Sequence, residues 1–295
     1  MKNYVLTCSS TVDLSNEFLK TIKVDYIEFN YQINDDILKD DLGKTISSKA
    51  FYDLMRSGAS TKTSQINANE YIEFFKKYLI LGNDIIHIEL SSGLSGSYNA
   101  AMLARNNLLE EFPNNKIVII DSLAASAGYG LLITKAADLK NTNYKFDDLV
   151  TWIEENKLYV HHWFYSTDLS YYVRGGRITQ TAGFVGSILN LNPLLNVSDK
   201  GKLIPRYKVV GKKRVMKKIV NQMVEFAQNG NNYNDKCFIS HADCYDDALK
   251  VASLIEDEFP ALKNKIEIFN IGTTIGSHTG PGTLALFFMG NMRNE

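Results

Sequence analysis

Glycine, hydroxyl and imidazole groups are concentrated in residues 271–283, which read IGTTIGSHTGPGT. Glycine and proline hold the backbone of such a stretch in conformations that other residues avoid. A loop of this composition that opens a helix directs free N–H groups at the space in front of the helix amino end, and the helix dipole favours an anion at that position. The apolar run at residues 284–289 follows, and we predict that it is a buried helix. This arrangement indicates a ligand with a charged head and a hydrocarbon body; the alternative is an ordinary core helix behind a tight turn.

A second polar turn, SSGLSGS at residues 91–97, follows a predicted strand and precedes a predicted helix. Its serines supply hydrogen-bond donors, and its glycines allow the backbone to approach a ligand closely. The turn lacks the G-x-x-x-x-G-K pattern of a nucleotide P-loop and the G-x-S-x-G pattern of a hydrolase nucleophile elbow. An anion site and a simple helix cap therefore both remain open for this segment.

Two shorter segments carry further polar groups. Residues 61–66 are predicted to form a polar loop, and Asn67 with Glu70 predicts a capping-box start of the helix that follows. Within this loop, residues 63–65, Thr-Ser-Gln, form a neutral donor cluster at the helix entrance, where capping is the favoured interpretation. Residues 174–177, Arg-Gly-Gly-Arg, place two permanent cations beside a turn. Either arginine can balance a buried carboxylate through charge-assisted hydrogen bonds, or it can form a salt bridge between domains.

Three other sets of residues give weaker indications of a functional site. His161 and His162 point to opposite faces of a predicted strand, so they cannot both ligate one metal ion. Residues 241–244, His-Ala-Asp-Cys, are explained by a strand that ends in a polar turn more simply than by a catalytic thiol. A basic cluster reads as a solvated helix face, with a docking surface for a phosphate-bearing partner as the minor alternative; it comprises Lys208, Lys212, Lys213, Arg214, Lys217 and Lys218.

Composition restricts the class of protein. The 295 residues carry a formal net charge of −1, which gives no overall attraction to nucleic acid or to an anionic membrane. Three cysteines without a C-x-x-C motif argue against a disulfide framework or a structural zinc site, and they suit a reducing cytoplasm. No apolar run approaches the ~18 residues of a membrane span, so we expect no stable membrane insertion. We also expect no cofactor and no metal.

The order of predicted elements indicates the fold. Strands near residues 4–8, 84–90 and 116–120 each end in a polar turn before a helix, which predicts a doubly wound, mostly parallel sheet. Such sheets bind ligands at the carboxyl ends of their strands. After the middle of the chain, residues 194–197 and 203–209 are predicted to form a hairpin, and mixed elements follow. We therefore predict an α/β protein with an N-terminal domain at residues 1–157, a C-terminal mixed α/β domain at residues 158–295, and a ligand cleft between them.

Three motifs in this order resemble the DegV family of bacterial fatty-acid-binding proteins, which includes the acyl-carrying subunit of fatty acid kinase. They are SSGLSGSY at residues 91–98, RGGRI at 174–178 and IGTTIGSHTGPG at 271–282. The likeness runs nearly end to end, and the motifs are specific as a set. This sequence differs from the family pattern in that Ser9 stands in a usually acidic position, and Ile66 and Thr273 replace common prolines.

The resemblance implies a non-catalytic carrier that buries one long-chain fatty acid between two domains. A partner fatty acid kinase would phosphorylate the bound carboxylate to acyl phosphate. The residues that the resemblance assigns to the carboxylate site are Thr63, Ser95, Gly96, Arg174, His278 and Thr279. Each buried methylene of the tail would contribute roughly 0.8 kcal/mol, so the tail would dominate affinity and the head would set orientation.

Apolar residues after the second and third motifs are candidates for the tail wall, namely Phe184, Val185, Ile188, Leu189, Leu284, Leu286, Phe287 and Phe288. Two other functions fit the same loops. In an acyl hydrolase, Ser95 would be the nucleophile and His278 its base. A binder of a phosphorylated metabolite would have a polar interior next to Ser95, without an apolar tunnel.

Overall fold

The structure is a computed structural model that describes residues 3–179 and 191–294. Its strands are β1 Tyr4–Ser9, β2 Asp25–Ile27, β3 Asn30–Ile33, β4 Asp36–Lys39, β5 Thr61–Ser64, β6 Asp84–Glu89, β7 Ile117–Asp121, β8 Val160–Tyr165, β9 Leu191–Val197, β10 Leu203–Val210, β11 Cys237–His241, β12 Glu267–Asn270 and β13 Leu284–Met289. Its α-helices are α1 Asn16–Thr21, α2 Ser48–Arg56, α3 Ala68–Leu79, α4 Ser97–Glu111, α5 Ser126–Asn141, α6 Phe146–Asn156, α7 Ser170–Arg174, α8 Lys212–Phe226, α9 Tyr245–Glu258 and α10 Thr273–Thr279.

The N-terminal half contains a four-stranded parallel sheet in the order β2-β1-β6-β7. Leu6 on β1 pairs with Ile86 on β6, and Ile86 pairs in turn with Val118 on β7. All six residues of β6 are buried, as expected for a parallel strand that is covered on both faces. The predicted parallel sheet is confirmed, and the polar turns after β6 and β7 lie at its carboxyl edge.

The N-terminal half also contains a small antiparallel sheet in the order β4-β3-β5. We predicted a polar loop at residues 61–66, but residues 61–64 form strand β5, where Thr63 pairs with Tyr31 of β3. Pairing with β3 is a long-range interaction, and a short polar strand carries no hydrophobic alternation that reveals it. The helix start predicted just after it is confirmed, because Asn67 and Glu70 make both bonds of a capping box on α3.

The C-terminal half forms a six-stranded mixed sheet in the order β10-β9-β8-β13-β11-β12. The predicted hairpin of β9 and β10 is confirmed, with Leu203 opposite Val197. The predicted helix at residues 284–289 is wrong. This run is strand β13, entirely buried and antiparallel to both β8 and β11. A six-residue apolar run has no periodicity that distinguishes a helix from a strand covered on both faces.

Helix α5 connects the two large sheets. It follows β7 of the parallel sheet and packs against β8, β11 and β13 of the mixed sheet. Nearly all of residues 126–137 are buried, so the helix has no polar face of its own. One cluster of buried apolar residues extends from Leu6 through Ile133 to Leu286. Within the described ranges, no helix combines the length and apolar character needed to cross a membrane. The domain boundary at residue 157 stays a prediction.

Candidate functional site

A cavity of about 420 Å³ lies between the carboxyl edge of the parallel sheet and the inner face of the mixed sheet. Its apolar lining comes from both halves of the chain and consists of Phe29, Leu90, Leu94, Ala125, Phe164, Tyr172, Val197, Leu203, Ile271, Ile275, Ala285 and Phe287. Its polar lining consists of Thr63, Gln65, Ser95, Gly96, Ser126, His162, Arg177, Thr274, His278, Thr279 and Thr283. The cavity therefore combines hydrocarbon walls with hydrogen-bonding residues.

The charge of the lining favours an anion. Arg177 is the one permanent cation among the described lining residues, and that set contains no Asp or Glu. The guanidinium is half-buried and donates from Nη2 to the backbone oxygen of Leu94 at 2.9 Å, and from Nη1 to Gly175 O. Burial lowers the pKa of Arg177, although an arginine remains charged at neutral pH. An anionic ligand in this cavity meets a cation and no competing carboxylate within the described lining.

Thr63 and His278 come from opposite ends of the chain and meet in the cavity. Oγ1 of Thr63 on β5 lies 2.7 Å from Nε2 of His278 in the last turn of α10. Burial, and to a lesser extent the Arg177 cation, lower the pKa of His278 to about 4. The imidazole is therefore neutral at pH 7, and it can serve as a hydrogen-bond donor or acceptor without adding charge.

The Ser95 turn forms the neighbouring wall. Oγ of Ser95 accepts the N–H of Ser97 at 3.2 Å and lies 3.0 Å from the Ser97 hydroxyl. The side chain of Gln65 lies so close to Gly96 that a Cβ there would be 2.1 Å from its Oε1. Only glycine permits this contact, which joins the β5 segment to the Ser95 turn. The two donor segments at residues 63–65 and 91–97 thus become one wall of the cavity.

The two arginines of the R-G-G-R segment have different positions. Arg174 is exposed at the end of α7, outside the described lining, with its guanidinium 4.7 Å from the centre of the Tyr171 ring. The chain then turns through Gly176, whose φ is 70°, and Arg177 reaches the cavity. The resemblance assigned the head-group role to Arg174, whereas the geometry places Arg177 at the cavity. The sequence gives no signal that distinguishes them.

The amino end of α10 directs two of its N–H groups at carboxyl groups of the chain, which corrects our expectation that the free N–H groups of residues 271–283 point at a ligand. The N–H of Gly272 donates to Oδ1 of Asp13 at 2.9 Å, and the N–H of Thr274 donates to Oδ2 of Asp40 at 3.2 Å. Both carboxyl groups are buried, and burial raises the pKa of each. Thr274 and Ile275 of the first turn still line the cavity, and the opposite end of the helix lines it as well. It carries His278 and Thr279, and Oγ1 of Thr279 is buried without a hydrogen-bond partner among the described residues.

Only some of the predicted wall residues line the cavity. On β13, Phe287 does, together with Ala285, which we did not predict. Leu284, Leu286 and Phe288 are outside the described lining, because successive side chains of a strand point to opposite faces. Phe288 stacks instead on His161, at 5.2 Å between ring centres. Four further candidates lie outside the described residues, namely Phe184, Val185, Ile188 and Leu189.

The hydrogen bonds do not connect Ser95 to a catalytic base within the described residues. The Ser95 hydroxyl is engaged with Ser97, and Nε2 of His278 is engaged with Thr63. An activated serine needs a base within hydrogen-bonding reach. The described geometry therefore gives the acyl hydrolase no direct support, and the apolar walls beside Ser95 do not match the polar interior expected of a metabolite site.

Comparison with known proteins identifies the family. Residues 5–291 match the family model described as "Uncharacterised protein, DegV family". The chain belongs to the DegV family. A DegV domain-containing protein of Clostridium perfringens is 37% identical over 293 residues, which cover 99% of each chain. Another DegV domain-containing protein, from Lactococcus lactis, is 28% identical over 295 residues and also covers 99% of each chain.

Solved DegV structures share the fold. A fatty-acid-binding DegV family protein from Thermus thermophilus has a TM-score of 0.85 at 22% identity, covering 98% of this chain and 99% of its own. The Fatty Acid Kinase (Fak) B3 protein of Streptococcus pneumoniae, solved loaded with linoleic acid, has a TM-score of 0.84 at 21% identity. That match covers 98% of this chain and 100% of the streptococcal one. These similarities confirm the predicted α/β architecture of this DegV family member.

Proposed function

We propose that this DegV family member binds one long-chain fatty acid in the cavity between its two large sheets. The single observation that carries the proposal is the lining, where Arg177 and a group of hydroxyls and imidazole adjoin apolar walls without a described carboxylate. A carboxylate cannot enter an apolar interior unpaired, so the polar end would hold the head and the apolar walls the tail. The DegV proteins solved with fatty acids support the same assignment by analogy.

In this proposal the head group contacts four segments of the chain. The Thr63 hydroxyl and the Ser95 turn, including Gly96, supply neutral partners from the first half. His278 and the Thr279 hydroxyl, which has no partner among the described residues, supply neutral partners from the second half. Arg177 takes the charge-balancing role that the resemblance gave to Arg174, because a charge-assisted bond is the strongest contact available to a carboxylate.

We further propose that the protein acts as a carrier and presents the carboxylate to a partner fatty acid kinase, which forms the acyl phosphate. The streptococcal Fak B3 neighbour supports this partnership by analogy. No chemistry is assigned to the carrier alone, and no cofactor enters the scheme. Because all three cysteines are free, we place this function in the reducing cytoplasm.

Mass spectrometry of extracted ligand tests the binding proposal. The purified full-length protein would be denatured, extracted with organic solvent and analysed against a standard of known concentration. We expect close to one long-chain fatty acid per chain. An extract from well-folded protein that contains a phosphate ester, or no acid at all, would overturn the proposal. Steady hydrolysis of an acyl ester that disappears in Ser95→Ala would favour the hydrolase instead.

A further inference from the structure

The cavity has a closed end that two neighbouring strands define in the same place. On β8, Phe164 and His162 line the cavity, but Val160, the next residue on that face, is outside the described lining. On β13, Phe287 lines the cavity and Met289 does not. The register places Phe287 opposite His162 and Met289 opposite Val160. Both strands therefore end the described cavity at one cross-strand pair, His162 and Phe287.

Helix α5 closes the same end from a third side. A Cβ on Gly128 would lie 2.3 Å from Nε2 of His162 and 2.6 Å from Cδ1 of Phe287, so the helix backbone touches both rings. The two rings meet edge to face, with 5.4 Å between their centres. Three elements thus converge at the distal end, and among the described residues Gly128, His162 and Phe287 are in contact there.

The His162 ring is held in one orientation. Its Nε2 lies 3.4 Å from the backbone N of Ala125, which donates to it, and its Nδ1 lies 3.1 Å from the backbone oxygen of Val160. The Nδ1 atom therefore carries the proton and donates to Val160. Burial lowers the pKa of His162 well below its usual value, so the ring is neutral. The end of the cavity is a fixed, uncharged ring.

This end is separated from the head-group residues by most of β13. His278 and Thr279 lie at the carboxyl end of α10, and Thr283, whose Oγ1 donates to the backbone oxygen of Thr279 at 2.9 Å, lines the cavity just before β13 begins. From Thr283 to Phe287 the chain advances four residues, or roughly 13 Å along the strand. A ligand held at His278 and extended along β13 therefore reaches the His162 ring with its distal end.

We propose that His162 determines the chain length of the acyl group that this protein accepts, by forming the end wall of the tail cavity. The inference rests on the proposed fatty-acid function and adds a specificity-determining residue to it. A chain that ends at the ring fills the cavity, whereas a longer chain must displace a ring that is packed against Gly128 and Phe287. Displacing close-packed groups is unfavourable, so affinity should fall beyond the optimal length.

The test measures affinity against chain length. Delipidated full-length protein would be titrated with straight-chain saturated fatty acids that increase by two carbons, using displacement of a fluorescent fatty acid. His162→Ala should shift the optimal length upward by about two methylene groups, each worth about fourfold in affinity. His162→Leu, which refills most of the space with an apolar side chain, should keep the wild-type optimum.

The adjacent histidine provides a matched control. His161 points to the other face of the sheet and stacks between Phe226 and Phe288, at 5.3 Å and 5.2 Å between ring centres. His161→Ala should therefore leave the optimal length unchanged. If His162→Ala does not fold, Phe287→Leu opens the same end and should lengthen the optimum as well.

The outcomes separate this inference from the proposed function. If the wild-type protein binds fatty acids and the His162→Ala optimum stays the same, or the His161→Ala optimum shifts equally, His162 does not determine length. An unchanged optimal chain length in Phe287→Leu would likewise show that His162 does not determine length. If the wild-type protein binds no fatty acid of any length, the proposed function itself fails, and the inference fails with it.

Discussion

At the scale of single residues, the cavity depends on groups that form hydrogen bonds and whose charge is set by their burial and their neighbours. His278 is neutral because burial and the Arg177 cation lower its pKa to about 4. It therefore contributes a hydrogen bond to Thr63 without competing with Arg177 for the role of counter-ion. Among the described lining residues, the charge balance of a bound carboxylate rests on Arg177.

The two arginines of the R-G-G-R segment give a matched pair for testing that balance. Arg177→Gln should weaken fatty-acid binding about tenfold to a hundredfold, since a charge-assisted hydrogen bond contributes roughly 1.5–3 kcal/mol. Arg174→Gln should change affinity less than about twofold, because the side chain is exposed and stacks on Tyr171. Competition binding with delipidated protein measures both. A larger loss in Arg174→Gln would restore the assignment made from the resemblance.

At the scale of elements, α10 joins the two halves of the chain. Its amino end is held by Asp13, which follows β1, and by Asp40, which follows β4. Tyr52 of α2 donates to the backbone oxygen of Ile271 just before the helix, at 2.8 Å. This short helix of seven residues is thus fixed at its start by the N-terminal half, and it carries His278 at its other end.

The buried Asp13 carboxyl makes that attachment dependent on pH. Burial and the neighbouring Asp40 raise its pKa, while hydrogen bonds from Ser126 and Gly272 lower it, and burial is the largest effect. The folded protein therefore binds this proton more tightly than the unfolded chain does. The associated stability is fully present below the unfolded pKa, and it is lost as pH rises through the folded pKa.

Asp13→Asn should consequently raise the free energy of unfolding at pH 7, and should flatten its dependence on pH. Urea denaturation between about pH 4 and pH 8 measures this difference from the wild type. Asp53→Asn is the control, since Asp53 is exposed and its pKa is lowered, chiefly by Lys49. Asp53→Asn should show no increase in the free energy of unfolding at pH 7. Lower stability of Asp13→Asn at pH 7 would mean that the bonds from Ser126 and Gly272 outweigh burial.

At the scale of the whole molecule, the two large sheets are held together near the cavity by Arg293. This buried guanidinium donates from Nη1 to the backbone oxygens of Val197 and Ser198 in the β9–β10 hairpin, at 3.2 Å and 2.6 Å. Its Nη2 donates to the backbone oxygen of Leu123 in the turn after β7, at 3.0 Å. Ser91 adds a bond to Gly201 O at 2.9 Å. The hairpin is thereby fixed against the edge that carries the cavity turns.

Arg293→Ala should lower the free energy of unfolding by about 3 kcal/mol or more, because it leaves several buried carbonyl groups without their donor. Fatty-acid retention should fall with it, since Val197 of the same hairpin lines the cavity. Urea denaturation and the amount of extracted acid per chain measure the two effects. Lys202→Ala, an exposed change in the same hairpin, should leave both unchanged. Wild-type stability in Arg293→Ala would show that this link is dispensable.

Much of the fold follows from local patterns in the sequence. The strands of the parallel sheet, the capping box at Asn67 and the hairpin at residues 191–210 depend on neighbours a few positions away. The three loop motifs also indicate the family, because each is a short run of residue types at fixed spacing. The strand at residues 61–64 and the strand at 284–289 were missed, because each is stabilised by partners distant in the chain.

The sequence alone determined the order of elements in the parallel sheet, the family and the set of polar groups available for a head-group site, since these depend on residue type and short-range spacing. Only the tertiary structure decided which groups meet. The period of two along β13 selects Phe287 over Leu284, the turn at Gly176 selects Arg177 over Arg174, and long-range packing turns the carboxyl end of α10 toward the cavity. Each choice is set by side-chain direction, which depends on partners far away in the chain.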